Sequence, residues 1–332
     1  MQYKPRIGVT MGDPAGIGPE IVIKALARDE VRSLCAPLVF GDLACLRDAA
    51  GRLGLPGGAV GVSLAVGSDR AAPSIVVRQA TDADLGGVRP GEVSPEAGKA
   101  AAQCVIAAAM AALAGEIDAI VTAPLNKKSI ALGGFPYPGH TELLAEVAKT
   151  TRYGMLLLTG SLRVVHVSTH VSLREAIDRV RTGRIYDCIL LGHRACLDLG
   201  IEAPRIAVAG LNPHAGEHGL FGVEEAEEIT PAIELARSEG IDATGPYPPD
   251  TVFARASNGD FDLVVAMYHD QGHIPVKLHG FDTGVNVTIG LPLIRVSVDH
   301  GTAFDIAGQG IAREQSMVEA IRVAVRMVEA RA

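Results

Sequence analysis

The chain has 332 residues, 48% of them hydrophobic and 20% charged, and a formal net charge of −8. That length predicts about two globular domains, and an acidic chain without a basic stripe argues against a nucleic-acid binder. No apolar run reaches the ~18 residues needed to span a bilayer, and the opening MQYKPRIGVTMGDP lacks the apolar core of a signal peptide.

Cys35, Cys45, Cys104, Cys188 and Cys196 are odd in number and form no CxxC pair, so they read as reduced thiols of a cytoplasmic protein. A first strand over Arg6 to Met11 breaks into Gly12-Asp13-Pro14-Ala15-Gly16-Ile17-Gly18-Pro19-Glu20, and a helix follows from near Pro19. Strand, glycine loop and helix can present backbone N–H groups to an anion. The same loop can equally be a tight turn that lets the helix pack on the sheet. Leu38 to Gly41 and Ser74 to Arg78 read as strands, Gly51 to Gly67 as a small, mobile connection, and Thr81 to Pro95 as surface loop. Ser94-Pro95-Glu96 opens an alanine-rich helix running to about Leu113, with cap, first-turn proline and early acid in order.

Ala119 to Thr122 is the next strand. Lys127 and Lys128 lie in the loop after it, solvated or touching an anion, and a helix starts after His140 with Thr141 as its cap. Gly154 to Thr159 and Arg163 to Val167 form a hairpin around Gly160-Ser161. Helices over Leu173 to Val180 and Arg184 to Leu197, a strand over Arg205 to Ala209, and an acidic helix over Val223 to Ser238 follow. GPYPPDT, Gly245 to Thr251, reads as a rigid loop, Leu263 to Met267 as a strand, and Glu314 to Ala332 as the closing helix. This alternation predicts an α/β fold with a mostly parallel sheet.

His170, His214 and His269 each fall just past the end of a short apolar strand. Ligands of open α/β sheets bind where strands exit, so three imidazoles there can converge on one divalent cation and leave positions open for substrate. Each can also be an ordinary hydrogen-bonding turn residue. His166 lies inside its strand, and His273, in the loop after His269, can touch substrate. Lys277, Asn286 and Arg295 are candidate anchors for an anion. Arg295 sits within the apolar run IRVSV, where its charge needs a partner: a phosphate or carboxylate of the substrate, or a structural acid.

Five segments in order, Gly12 to Glu20, Gly139 to Glu142, Leu211 to Glu217, Tyr268 to Gly272 and Ser297 to Ala303, resemble the 4-hydroxythreonine-4-phosphate dehydrogenase family. The resemblance covers essentially the whole chain. It implies a fold like that of isocitrate and isopropylmalate dehydrogenases: two α/β/α domains around an active-site cleft, in an obligate homodimer. The nucleotide-binding domain is then 1–135 plus 284–332, and 136–283 is the metal, substrate and dimerisation domain. The resemblance also implies that His170, His214 and His269 bind a divalent metal (zinc, or magnesium, manganese or cobalt) in a site completed across the dimer interface. His140, Thr141, Lys277, Asn286 and Arg295 match substrate-binding positions.

The loop from His300 through Gly301, Thr302, Ala303 and Asp305 to Gly308 is similar to the nucleotide loop of isopropylmalate dehydrogenases. An aspartate at 305 then goes with NAD, since a carboxylate accepts hydrogen bonds from ribose hydroxyls but repels a 2′-phosphate. One departure bears on substrate. GHIPVK, from Gly272 to Lys277, resembles a subgroup that oxidises 4-phospho-D-threonate or 4-phospho-D-erythronate, rather than the pyridoxal phosphate pathway enzymes acting on 4-phosphohydroxy-L-threonine.

The implied reaction is metal-assisted oxidation of a secondary alcohol by NAD, with decarboxylation of the β-keto acid. The proton acceptor is open between Asp250 and Lys277. A metal-dependent hydrolase of a small phosphate ester and a non-catalytic metabolite sensor are the alternatives.

Overall fold

The computed structural model describes residues 4–56, 59–61, 75–280 and 283–332. β1 (Arg6–Thr10) leads into α1 (Gly18–Ala27), with Pro19 in its first turn, then α2 (Asp29–Leu34), β2 (Ala36–Gly41), α3 (Leu43–Arg52), β3 (Val60–Gly61) and β4 (Ile75–Gln79). The expected mobile connection at 51–67 is partly the end of α3 and β3; its positions 57, 58 and 62–67, like Ser74, lie outside the described residues. α4 (Pro95–Leu113) begins as expected: Ser94 Oγ accepts the Ala97 N–H. α4 is long and apolar enough to cross a membrane by length and composition alone, and most of it is buried in the fold.

β5 (Ala119–Thr122) precedes α5 (Lys127–Leu132), where a loop was expected; Asn126 caps it by accepting from the N–H groups of Lys128 and Ser129. α6 (His140–Val147) includes His140 as its first residue, and Gly139, not Thr141, holds the cap position. The hairpin is β6 (Gly154–Thr159) and β7 (Leu162–His166), followed by α7 (Leu173–Asp178), α8 (Thr182–Asp198) and β8 (Ile206–Ala209). The acidic helix divides into a π turn over Glu225–Ile229 and α9 (Thr230–Ser238). Of the expected rigid loop, Gly245 to Tyr247 form the end of a strand, β9 (Ala243–Tyr247), which pairs with β8, and 248–251 remain outside it. α10 (Val252–Ser257) and β10 (Leu263–Ala266) follow.

α11 (His269–His279) puts His273 on a helix, with Pro275 inside it, where turn residues suggested a loop. β11 (Val285–Ile289), β12 (Ile294–Val298) and α12 (Gln315–Arg331) complete the chain.

Two compact units result: residues 1–151 with 291–329, and residues 152–290 with 330–332. Both junctions differ from those expected. α6 packs on α4 and so belongs to the first unit, whereas β11 pairs antiparallel with β6 and belongs to the second. In the first unit the strands run in the order β3-β4-β2-β1-β5-β12, and each of these pairings is parallel. Buried Ile7, Val9, Val39 and Val121 lie on these strands, and the small side chains of α4 pack against β1, β2 and β5.

In the second unit the order is β11-β6-β7-β10-β8-β9. β7, β10, β8 and β9 are parallel, while β11-β6 and β6-β7 are antiparallel. One face of this sheet packs Val164, Ala207 and Val264 against Phe253 of α10 and Val276 of α11. The mixed α/β character matches the expectation from strand and helix alternation.

Candidate active site

The parallel strands of the second unit explain why its histidines collect. β7, β10 and β8 are neighbours with matched registers, Ala266 opposite His166 and Val265 opposite Val208. The loops that follow them, carrying His170, His269 and His214, therefore leave the same edge of the sheet. His170 and His269 come together, with ring centroids 5.9 Å apart. Two imidazoles sharing an ion through metal–nitrogen bonds of about 2.1 Å need a centroid spacing of about 5–6 Å, so the pair fits a divalent cation.

Both rings line an open cavity of about 540 Å³ with Tyr268, Asp270 and Ser172. His269 Nδ1 lies 2.7 Å from Asp270 Oδ1, an engagement that leaves Nε2 as the ring nitrogen suited to ligation. His214 does not join them within the described residues: no group of three or more His, Cys, Asp and Glu is arranged there to hold a metal. Its ring instead lies 6.2 Å from that of Phe221.

α11 carries a stripe. His269, His273 and Lys277 recur every four residues, so they share one helix face, and the rings of His269 and His273 stack at 3.5 Å. Below the stripe, buried His166 lies 4.7 Å from the His273 ring. Burial and the neighbouring imidazoles hold the His166 pKa well below its usual value. Burial, then the neighbouring His269, pushes the His273 pKa down to about 4. Lys277 is exposed, as is Asp250 in the turn before α10, but only Lys277 shares the His269 face. Asn286 is half-buried on β11, opposite Leu157.

In the first unit β1, β5 and β12 are neighbours and parallel, so the loops after Thr10, Thr122 and Val298 also share an edge. Arg295 is 3% exposed on β12. Its Nη2 and Nε donate to Thr122 Oγ1 at 2.7 and 3.2 Å, and burial lowers its pKa to about 9. His140 Nε2 is buried without a hydrogen-bond partner, and burial, then the charge of Arg295, keeps the ring neutral. A buried guanidinium beside an imidazole nitrogen that still seeks a partner is suited to an oxyanion. Thr122 escaped sequence reasoning; its only signal was a hydroxyl at the exit of a buried strand.

The loop from His300 to Ala312 docks on the glycine loop. Ile17 N–H donates to Thr302 O at 3.0 Å. A Cβ on Gly16 would lie 2.9 Å from Thr302 Cβ, so this contact needs glycine. Within the glycine loop, Ala15 N–H donates to Asp13 Oδ1 and Gly16 N–H to Asp13 O. These donors are already engaged, so the loop acts as a packing turn rather than a phosphate cradle. Buried Glu20 accepts from the N–H groups of Gly310 and Ala312, while Lys24 donates to both carbonyls. Ala303 has a left-handed backbone, Asp305 is exposed, and His300 and Gly301 precede them.

The neutral state of His140 has a consequence for stability. Its folded pKa lies below the usual 6.5, so between the two values the unfolded chain binds more protons. Stability is then complete above the unfolded value and falls as pH drops below it, by up to about 1.4 kcal/mol per pH unit for one such group. Calorimetric melting through this range should show that decline, and His140→Gln should flatten it; an unchanged slope in the variant contradicts the assignment.

Clustered imidazoles at one sheet edge, and a buried cation on an α/β scaffold, define a class: enzymes acting on small anionic substrates. The comparisons with known proteins narrow it. Residues 33–324 match the family described as pyridoxal phosphate biosynthetic protein PdxA. The D-threonate 4-phosphate dehydrogenase of Cupriavidus necator is 50% identical over 99% of each chain. The 4-hydroxythreonine-4-phosphate dehydrogenase of Desulfosudis oleivorans is 48% identical over 98% of this chain and 96% of its own. A crystal structure of 4-hydroxythreonine-4-phosphate dehydrogenase from Klebsiella pneumoniae superimposes with a TM-score of 0.88 at 47% identity, covering 98% of this chain and 100% of that one.

The chain belongs to the PdxA family. It is a dehydrogenase, an oxidoreductase acting on a CH–OH group, which sets aside the hydrolase and the sensor.

Proposed function

We propose that the protein oxidises a 4-phosphorylated 3-hydroxy acid with NAD and a divalent metal, with decarboxylation, and that D-threonate 4-phosphate or its erythronate isomer is preferred over 4-phosphohydroxy-L-threonine. The observation that carries this reading is the His170–His269 pair beside the Lys277-bearing face of α11. The substrate preference is supported by the GHIPVK run and by the relatives named D-threonate 4-phosphate dehydrogenase, among them that of Salmonella typhimurium at 50% identity.

His170 and His269 would hold the ion, with His214 as the third ligand in a site completed by a second copy of the chain in a homodimer. The ion, when bound, supplies Lewis-acid charge stabilisation for alcohol oxidation and decarboxylation, and NAD supplies the hydride acceptor. Arg295, with His140 and Thr141, binds an oxyanion of the substrate, and Asn286 orients it. Lys277 takes up the alcohol proton in preference to Asp250, because it lies on the His269 face. His300, Gly301, Thr302 and Ala303 hold the nucleotide, and Asp305 accepts from its ribose hydroxyls. Five cysteines without disulfides fit a cytoplasmic enzyme.

The test is a side-by-side assay of NADH formation with 4-phospho-D-threonate, 4-phospho-D-erythronate and 4-phosphohydroxy-L-threonine, with each candidate metal. The two sugar acids should turn over fastest; no NADH from any of the three refutes the reading. With the best substrate, NAD should exceed NADP by about tenfold or more in kcat/KM, since a misplaced charge costs at least about 1.4 kcal/mol. Equal turnover removes the role given to Asp305.

A further inference from the structure

We infer that Glu225 is a positioning residue for His214 and sets its metal affinity; the inference rests on the reading of His214 as a metal ligand. The chain leaves β8 at Ala209 and turns through a left-handed run, in which His214, Ala215, Gly216, Glu217 and His218 have φ of 53, 52, 80, 42 and 57°. Four of these are not glycine, and L-residues enter this region at a cost. Such a run persists where the surroundings over-determine it.

Glu225 provides that determination. Its side chain is buried, and Oε1 accepts from the N–H groups of Leu211 and Asn212 at 2.8 and 2.7 Å. Oε2 accepts from Asn212 Nδ2 at 2.9 Å. The carboxylate also sits under the turn itself: a Cβ on Gly216 would lie 2.7 Å from Oε2. Glu225 therefore fixes the root of the loop two and three residues before His214 and abuts the turn two residues after it.

The residue opens the π turn Glu225–Ile229, an irregularity frequent at functional sites, which carries its carboxylate to this position. A second tie secures the same root. Buried Gln271 accepts from Met267 N–H at 2.6 Å and donates to Gly210 O at 2.8 Å, joining the strand that delivers His269 to the loop that delivers His214. Neither side chain needs to touch substrate for this; the role is to fix the loop that carries the His214 imidazole.

Glu225→Gln keeps size and shape but replaces one acceptor oxygen with an NH2 group, which opposes either the backbone N–H groups or the Asn212 amide. The full-length protein, stripped by chelation, is titrated with Co²⁺ and followed by its visible absorption, with melting and circular dichroism as fold controls. Glu225→Gln should bind Co²⁺ about 10–100-fold more weakly, with an altered spectrum. Its turnover should be recovered largely by raising Co²⁺, a split that general loss of structure does not produce. His214→Ala, measured alongside, separates the two levels of the argument. Weakened binding in His214→Ala with unchanged binding in Glu225→Gln overturns the role of Glu225 alone. Unchanged binding in His214→Ala overturns the ligand reading beneath it. If Glu225→Gln does not fold, Asn212→Ala decides the question: a smaller loss of Co²⁺ affinity supports the inference, and none overturns it.

Discussion

Replacing His269 by alanine is expected to abolish metal-dependent turnover while leaving the fold in place. The imidazole side chain is 36% exposed, so its removal opens no core cavity. What is lost is one of two rings spaced for a shared cation and the stacked partner of His273. A metal contributes several kcal/mol of charge stabilisation in oxidations of this kind, and about 4 kcal/mol corresponds to roughly a thousandfold in rate. The measurement is NADH formation with saturating substrate and metal, beside a melting curve. A drop of about that size with an unchanged melt supports the ligand assignment. Full activity removes His269 from the metal site, and the proposed role of the α11 face with it.

Arg295→Met is expected to weaken substrate binding without lowering stability. Methionine keeps an unbranched chain in the buried site and removes the charge. Truncating a buried, hydrogen-bonded charge at a binding site costs about 2–5 kcal/mol, so KM for the phosphorylated acid should rise by at least about thirtyfold. Burial is the first cause of the lowered Arg295 pKa, so the cation is held against a desolvation penalty in the protein without substrate. Methionine removes that desolvation penalty together with the charge and fills the space with apolar atoms. The melting temperature without substrate should therefore hold or rise. A large destabilisation with unchanged KM would make Arg295 a structural residue tied to Thr122 rather than a substrate anchor.

The lesson of α11 concerns how local signals mislead. Gly272, Pro275 and Gly280 punctuate the stretch after His269, and they suggested a loop. Yet Val276 packs into the sheet core of the second unit, and that burial outweighs the helix-breaking tendency of a proline in the second turn. The consequence is functional: only as a helix do His269, His273 and Lys277 share a face. The glycine loop after β1 is the converse case. Its composition fitted either an anion cradle or a packing turn, and hydrogen bonds from its N–H groups to its own Asp13 and to Thr302 O decided for packing.

By itself the sequence determined the α/β alternation, the strand ends that carry His170, His214 and His269, and the oddity of an arginine inside an apolar strand. These were legible because strand periodicity, turn chemistry and the cost of a buried charge act over a few residues. Tertiary structure alone decided which strands are neighbours, and so which loops share an edge. It paired His170 with His269 and left His214 on its own left-handed turn. It set Thr122 beneath Arg295 across 173 residues of chain and Gln271 against Gly210 across 61. Such contacts come from sheet order and burial of the whole unit, and no local pattern encodes them.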